Sequence, residues 1–148
     1  MNFVLPGPLR ARIEAEARAA FPRECCGLIE GGRQGEDAWA MILHPARNLA
    51  TANDRFEIHP EDHFVALKAA RARGQSLIGC YHSHPKGSPT PSDTDRDGAG
   101  EEDFLWLIAA LAQAEGPVTL AAFAYRADGF VCIARDGTRE PDLAASSR

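Results

Sequence analysis

The segment at residues 76–82 constrains the fold more than any other part of the chain. Its centre, Leu77-Ile78-Gly79-Cys80-Tyr81, is continuously apolar or small. A β-strand without polar alternation is typical of a strand that is buried on both faces. The sequence therefore predicts that residues 76–82 form a central strand of a sheet.

Two helices are predicted around this strand. Leu9, Ile13, Ala17 and Ala20 recur at helical spacing, which indicates an amphipathic helix at residues 8–21. A second helix is expected at residues 60–73, because Pro60 stands at its start and Gly74 just past its end.

The remaining strands complete one mixed sheet flanked by two or three helices, an α+β (α/β/α-like) fold. A polar loop at 31–37 is expected to join the first two strands as a hairpin, and a Pro/Gly-rich loop is expected at 85–92. The segment 104–111 also fits a buried helix by periodicity alone. We expect one domain at residues 1–138 and a flexible tail at 139–148. Strands are predicted at residues 26–30, 38–43, 55–58, 104–111, 118–125 and 130–134.

Composition excludes several classes of function. The 148 residues carry a net charge of -5 without a Lys/Arg cluster, so no nucleic-acid partner is expected. The longest apolar run, residues 104–112, is about half of the ~20 residues that span a bilayer, and no signal peptide is evident. The four cysteines form no Cys-x-x-Cys pair and are interpreted as structural thiols. These features predict a cytoplasmic protein that does not bind membranes.

A candidate metal site follows the central strand. His82 and His84 are two residues apart at its end, so strand alternation directs both imidazoles to the same face. Pro85 then turns the chain, and Asp95 lies within reach of a loop that folds back. Two imidazoles and a carboxylate suit Zn²⁺, and three protein ligands leave a fourth position for water.

Two alternatives account for parts of this pattern without zinc. Residues Ser92 to Asp95 have the Ser-x-x-acid form of a helix N-cap, a role that is compatible with metal binding. Residues 93–98 copy the first half of a calcium-binding EF-hand loop, but Phe104 occupies the position that requires a bidentate Glu. Calcium is therefore disfavoured.

The order His-Ser-His-Pro, six residues, then Ser-x-x-Asp resembles the signature of the JAMM (MPN-plus) zinc metalloprotease family. Residues 22–31 resemble the upstream motif of that family, and the similarity covers roughly residues 5–134. The resemblance implies an MPN/JAMM-type (cytidine-deaminase-like) domain of the compact prokaryotic kind with one zinc ion. The glycine-rich, acidic stretch 98–102 departs from the pattern and leaves open the length of the helix after Ser92.

The resemblance also implies catalytic roles. Glu24 would take the proton of the attacking water and pass it to the leaving amine. Spacing alone does not choose Glu24 over Glu30, Glu57 or Glu61, so this choice depends on the family motif. The Ser92 hydroxyl would donate to the oxyanion of the tetrahedral intermediate.

Substrate-binding residues are expected on the same basis. Asn48 and the segment 56–60 resemble stretches of prokaryotic family members and are expected to line the substrate groove. Ser83, between the two histidines, is a further predicted substrate contact.

The resemblance implies hydrolysis of an amide bond at or near the C-terminus of a ubiquitin-like or sulfur-carrier protein. One alternative is a function like that of DNA-repair-associated relatives, which have a similar Pro-Ser-x-x-Asp segment. The acidic net charge of this chain argues against that alternative. Another alternative is a catalytically silent interaction module. The sequence leaves open whether the chain forms a homodimer.

Overall fold

The computed structural model describes residues 1–136, which form a seven-stranded mixed sheet with three helices. The strand order across the sheet is β1-β3-β2-β4-β5-β6-β7, with parallel pairing in β1/β3 and β4/β5 and antiparallel pairing elsewhere. In chain order the elements are β1 Asn2–Val4, α1 Gly7–Ala20, β2 Cys26–Gln34, β3 Asp37–Ala46, α2 Pro60–Ala72, β4 Ser76–Pro85, α3 Asp93–Gly98, β5 Leu105–Leu111, β6 Thr119–Arg126 and β7 Gly129–Arg135.

Strand β4 occupies the middle of the sheet, as its apolar sequence predicts. It pairs with β2 on one side and β5 on the other, and Gly79 through His84 are all buried. The mixed sheet with flanking helices confirms the predicted fold class.

The two long helices cover opposite faces of the sheet. Ile13 and Ala17 of α1 pack into a cluster with Tyr81 of β4, whereas Ala66 of α2 packs into a second cluster with Cys80. Helix α2 begins at Pro60, and Gly74 follows its C-terminus with a φ of +69°, a left-handed conformation that glycine adopts without strain. Both helix predictions are therefore correct to within one residue at each end.

Several predicted boundaries were wrong. Strands β2 and β3 continue through most of the predicted loop 31–37, so the hairpin is longer than its apolar residues suggested. The segment 55–58 contributes only one isolated bridge, between Asn48 and Ile58. Strand β1 was missed because it is three residues long. Pairing of β5 with β4 and β6 decides that 105–111 is a strand and not a helix. The predicted tail 139–148 lies outside the described residues.

Within residues 1–136, no helix is long and apolar enough to cross a membrane. All four cysteines are free thiols, and Cys132 is exposed on β7.

Candidate metal centre

Two imidazoles emerge side by side from the end of β4. His82 and His84 lie on the α2 face of the sheet, and their Nε2 atoms are 3.0 Å apart. His82 is 0% exposed and His84 9%, because the aromatic rings and the loop around them exclude water. The Nδ1 of His84 donates to the carbonyl of Ser88 at 2.9 Å, so Nε2 is the ring nitrogen that can bind a metal when the imidazole is neutral.

Asp95 completes a triangle of ligand atoms. Its Oδ2 lies 3.1 Å from Nε2 of His82 and 3.0 Å from Nε2 of His84. Helix α3 holds this carboxylate through a capping box: the Asp95 N–H donates to Ser92 Oγ at 3.0 Å, and the Ser92 N–H donates to Asp95 Oδ2 at 2.9 Å. The same Asp95 carboxylate therefore caps the helix and is a candidate metal ligand. Residues 93–98 form a short helix and not a calcium loop.

The donor set fits a tetrahedral zinc ion. Ligand atoms at ~2.0–2.1 Å from such an ion lie about 3.3 Å from each other, close to the 3.0–3.1 Å sides of this triangle. Two nitrogen atoms and one carboxylate oxygen are also the ligand types that Zn²⁺ prefers. His82 Nδ1 is buried without a hydrogen-bond partner among residues 1–136, so the described contacts do not fix its tautomer.

The electrostatics of the triangle favour an anionic Asp95 between imidazoles. Burial alone would raise the pKa of Asp95, but hydrogen bonds with His82 and His84 hold it well below its usual range. Burial lowers the pKa of His82. Burial would also lower the pKa of His84, yet its contacts with Asp95 and the Ser88 carbonyl raise it.

Glu24 approaches the histidines from the segment just before β2. A carboxylate oxygen of Glu24 lies within 4.8 Å of a ring nitrogen of each histidine. The side chain is 4% exposed, and Oε1 has no hydrogen-bond partner among the described residues. Burial raises the pKa of Glu24 to about 8, with Asp95 and Asp54 adding to the rise and His84 opposing it. Such a group can hold or release a proton near neutral pH.

An open groove gives access to the site. Glu24, His84 and Ser92 line it together with the exposed loop residues Asn53 and Asp54. Because Ser92 Oγ accepts the Asp95 N–H, its own O–H remains available to donate into the groove. Sequence reasoning missed Asp54, since an exposed loop aspartate carries no pattern that distinguishes it.

An apolar cavity of about 710 Å³ adjoins the triangle beside Asp95. Phe56 forms part of its wall and stacks on His82 with ring centroids 4.3 Å apart and planes inclined by 23°. The buried Trp106 also lines this cavity and contacts the rings of Phe56 and His82 edge-on. Phe56, Glu57 and Ile58 of the segment 56–60 line this cavity.

Asn48 and Ser83, the two predicted substrate contacts, both bind backbone groups of this chain. The Asn48 amide bonds to main-chain atoms of Glu24 and of the loop 50–57. Ser83 is 0% exposed, and its Oγ accepts the N–H of Cys25 at 2.8 Å. The structure therefore brings the five predicted metal and catalytic residues together around one point. Asn48 and Ser83 lie behind Glu24, where they bind its backbone and that of Cys25.

Residues 6–124 match the family model described as prokaryotic homologs of the JAB domain. The chain belongs to this family. Its membership confirms the JAMM resemblance and places the His82/His84/Asp95 triangle in a known type of domain.

Relatives of this JAB-domain chain include proteins with named activities. It is 37% identical over 89 residues to a desampylase of Haloferax volcanii, covering 59% of this chain and 62% of that protein. It is 34% identical over 92 residues to a probable TtuB-protein conjugate cleaving protease of Thermus thermophilus, covering 62% and 59% of the two chains. The matches thus span about three fifths of each relative. A solved structure of a Desulfitobacterium hafniense protein is similar with a TM-score of 0.79 and 31% identity, covering 88% of both chains.

Proposed function

We propose that this JAB-domain protein is a zinc-dependent peptidase or isopeptidase. Its substrate would be an amide bond at or near the C-terminus of a ubiquitin-like or sulfur-carrier protein. The observation that carries the proposal is the triangle of His82, His84 and Asp95 with the unpartnered Glu24 carboxylate within 4.8 Å of both histidines.

The residues around the triangle have the chemistry that amide hydrolysis requires. Zinc held by His82, His84 and Asp95 would polarise the scissile carbonyl and acidify a water molecule. Glu24 would accept the proton of that attacking water and deliver it to the leaving amine nitrogen. The Ser92 hydroxyl would donate to the oxygen that becomes negative in the transition state.

The substrate class is supported by the names of the relatives and by the shape of the site. A desampylase and a TtuB-protein conjugate cleaving protease are among the matched proteins. Both edges of β4 are already paired, so an extended substrate tail has no free edge of that strand to join. We expect the tail to lie along the apolar cavity beside Phe56, with its carbonyl carbon in the groove between Glu24 and Ser92.

The test uses the full chain loaded with zinc. Linear fusions and lysine-linked conjugates of several ubiquitin-fold and sulfur-carrier proteins are incubated with it, and cleavage is followed by mass spectrometry. We expect cleavage after the carrier's C-terminal residue by the wild-type protein and loss of cleavage in Glu24→Gln. Metal analysis should find one zinc per chain in wild type and Glu24→Gln, and none in His82→Ala or Asp95→Asn.

Two results would overturn the proposal. One is a folded, zinc-loaded protein that leaves every carrier fusion and conjugate intact, which would favour the catalytically silent module. The other is a Glu24→Gln variant that cleaves at the wild-type rate.

A further inference from the structure

The peptide unit between Glu24 and Cys25 is held by two side chains, one on each of its polar groups. Its carbonyl, which belongs to Glu24, accepts a hydrogen bond from Asn48 Nδ2 at 3.0 Å. Its N–H, which belongs to Cys25, donates to Ser83 Oγ at 2.8 Å. We call this pair of hydrogen bonds the Asn48–Ser83 clamp.

The Asn48 side chain has no capacity left for a substrate. Its Oδ1 accepts the N–H groups of Ala50 and Glu57, both at 2.9 Å, and its Nδ2 also donates to the carbonyl of Arg55 at 3.3 Å. An amide has two donor hydrogens and two acceptor lone pairs, and all four are used here. Asn48 therefore joins the loop 50–57 to the backbone of Glu24.

Ser83 holds the same peptide unit from the opposite direction. Strand alternation places its side chain on the α1 face, away from His82 and His84. Its hydroxyl is completely buried, and its own N–H donates to the carbonyl of Cys25 at 3.1 Å. This residue has no route to a substrate in the groove.

The carboxylate of Glu24 has little else to fix its position. Its Oε1 is buried and unpartnered among residues 1–136, so no hydrogen bond to that atom directs it toward the histidines. Because a peptide unit is planar, holding its C=O and its N–H also fixes the position of the Glu24 Cα atom, from which the side chain leaves the backbone.

We infer that Asn48 and Ser83 are positioning residues that aim Glu24 at the reacting water, in place of the substrate contacts that the sequence predicts for them. This inference rests on the proposed function of Glu24 as the proton-transferring group. Displacement of a reacting group by about 1 Å can reduce a rate ~10²-fold, so the clamp can matter without touching the substrate.

The test compares steady-state cleavage of a carrier fusion by wild type, Asn48→Asp and Ser83→Ala. Asn48→Asp keeps the acceptor for Ala50 and Glu57 but removes the donor to Glu24 and Arg55, and Ser83→Ala removes the acceptor for the Cys25 N–H together with the hydroxyl's contact with the Cys25 thiol. We expect each to lower kcat by ~10- to 100-fold with KM and zinc content unchanged. Asn2→Asp, the same replacement at an exposed position of β1, is the control and should retain the wild-type rate.

The same two substitutions are then made in the Glu24→Gln background. If the clamp acts through Glu24, neither should lower the residual rate further, because there is no carboxylate left to aim. A separate measurement needs neither metal nor activity: amide hydrogen exchange at Cys25 in the metal-free protein should be at least 10-fold faster in Ser83→Ala, with β5 and β6 unchanged.

The inference is overturned if both variants cleave at the wild-type rate, or if they lose the same factor with and without the Glu24 carboxylate. Unchanged exchange at Cys25 in Ser83→Ala would overturn it even if Asn48→Asp failed to fold. Failure of the proposed function is a distinct result, since wild type would then leave every substrate intact or Glu24→Gln alone would cleave at the wild-type rate.

Discussion

Glu24 differs from an ordinary surface carboxylate in both burial and charge environment. Its side chain is almost inaccessible, and the negative charges of Asp95 and Asp54 face it together with the imidazole of His84. Burial is the main reason that its pKa rises to about 8. A cation bound by the neighbouring histidines would favour the ionised form and lower this value.

This environment predicts an acid limb in the pH dependence of cleavage. Glu24 can accept a proton only when it is ionised, so kcat/KM should rise as pH increases through its pKa. The midpoint in the zinc-loaded protein should lie below 8, and in the metal-free protein the Glu24 carboxyl should titrate near 8 by ¹³C NMR. A limb that persists unchanged in the residual activity of Glu24→Gln would assign it to another group.

At this scale the sequence predicts the cluster of His82, His84 and Asp95, but spacing alone does not choose among the candidate glutamates. His82 and His84 were accessible to sequence reasoning because strand alternation is local. The four candidate glutamates differ only in tertiary surroundings: Glu30 is buried and ion-paired, Glu57 and Glu61 are exposed, and Glu24 is buried with an unpartnered oxygen. Those differences arise from contacts between distant segments.

At the scale of elements, an ion pair between a buried carboxylate and a half-exposed guanidinium connects β2 to the end of α2. Glu30 is 0% exposed and receives two hydrogen bonds from Arg73, at 2.9 and 2.7 Å, while His44 Nε2 lies 2.8 Å from its Oε1. The hydrogen bonds from Arg73 lower the pKa of Glu30 despite its burial. The ionised form is therefore the form that the fold stabilises.

We expect Glu30→Gln to reduce the free energy of unfolding by about 2 kcal/mol at pH 7, because charge-assisted hydrogen bonds to a buried carboxylate are lost. A depressed folded pKa stabilises the protein above the unfolded value of 4.5, and this contribution disappears as pH falls through the lower folded value. The difference between variant and wild type in urea unfolding should therefore shrink below pH 4.5. An equal difference at pH 7 and pH 3 would contradict this account.

Gly79 allows β4 and β5 to approach closely. A Cβ atom at this position would lie 2.5 Å from the carbonyl oxygen of Leu105 and 2.7 Å from its Cβ. We expect Gly79→Ala to destabilise the fold by ~1–3 kcal/mol, because the two strands would have to separate. Thermal unfolding measures this effect. Gly98→Ala, where an added Cβ meets nothing within 4 Å, is the control and should change stability far less.

The predicted loop 31–37, which begins with Gly31-Gly32, illustrates why the ends of β2 and β3 could not be found from sequence. These glycines lie within β2, where an added Cβ would come within 2.4 Å of the Trp39 ring at Gly32 and 1.9 Å of the Trp39 carbonyl at Gly31. Glycine is present because Trp39 packs against the strand. The reason for glycine at these two positions is visible only in the neighbouring strand. In the sequence alone, a Gly-Gly pair is an ordinary turn signal.

At the scale of the whole molecule, three separate chain segments meet at one end of the sheet. The segment before β2 supplies Glu24, β4 supplies the histidines, and the start of α3 supplies Ser92 and Asp95. A metal ion bound here would link the middle of the sheet to a helix that has only six residues.

Zinc should therefore stabilise the folded protein. Free zinc at 100 times its Kd would add about 2.7 kcal/mol to the free energy of unfolding, if the unfolded chain does not bind it. We expect scanning calorimetry to show Tm rising with zinc concentration and falling with a chelator, in wild type and Glu24→Gln alike. His82→Ala should abolish the dependence; a zinc-dependent Tm in that variant would place the ion elsewhere.

Asp95 is both a candidate metal ligand and part of the capping box, and a substitution at this position affects both roles. The oxygen that faces the histidines also accepts the Ser92 N–H that starts α3. Replacing Asp95 with a ligand suited to another metal would also remove the capping hydrogen bond at the first turn of α3. A designer who wants a different metal preference must therefore supply a new helix start in the same step, or change an imidazole.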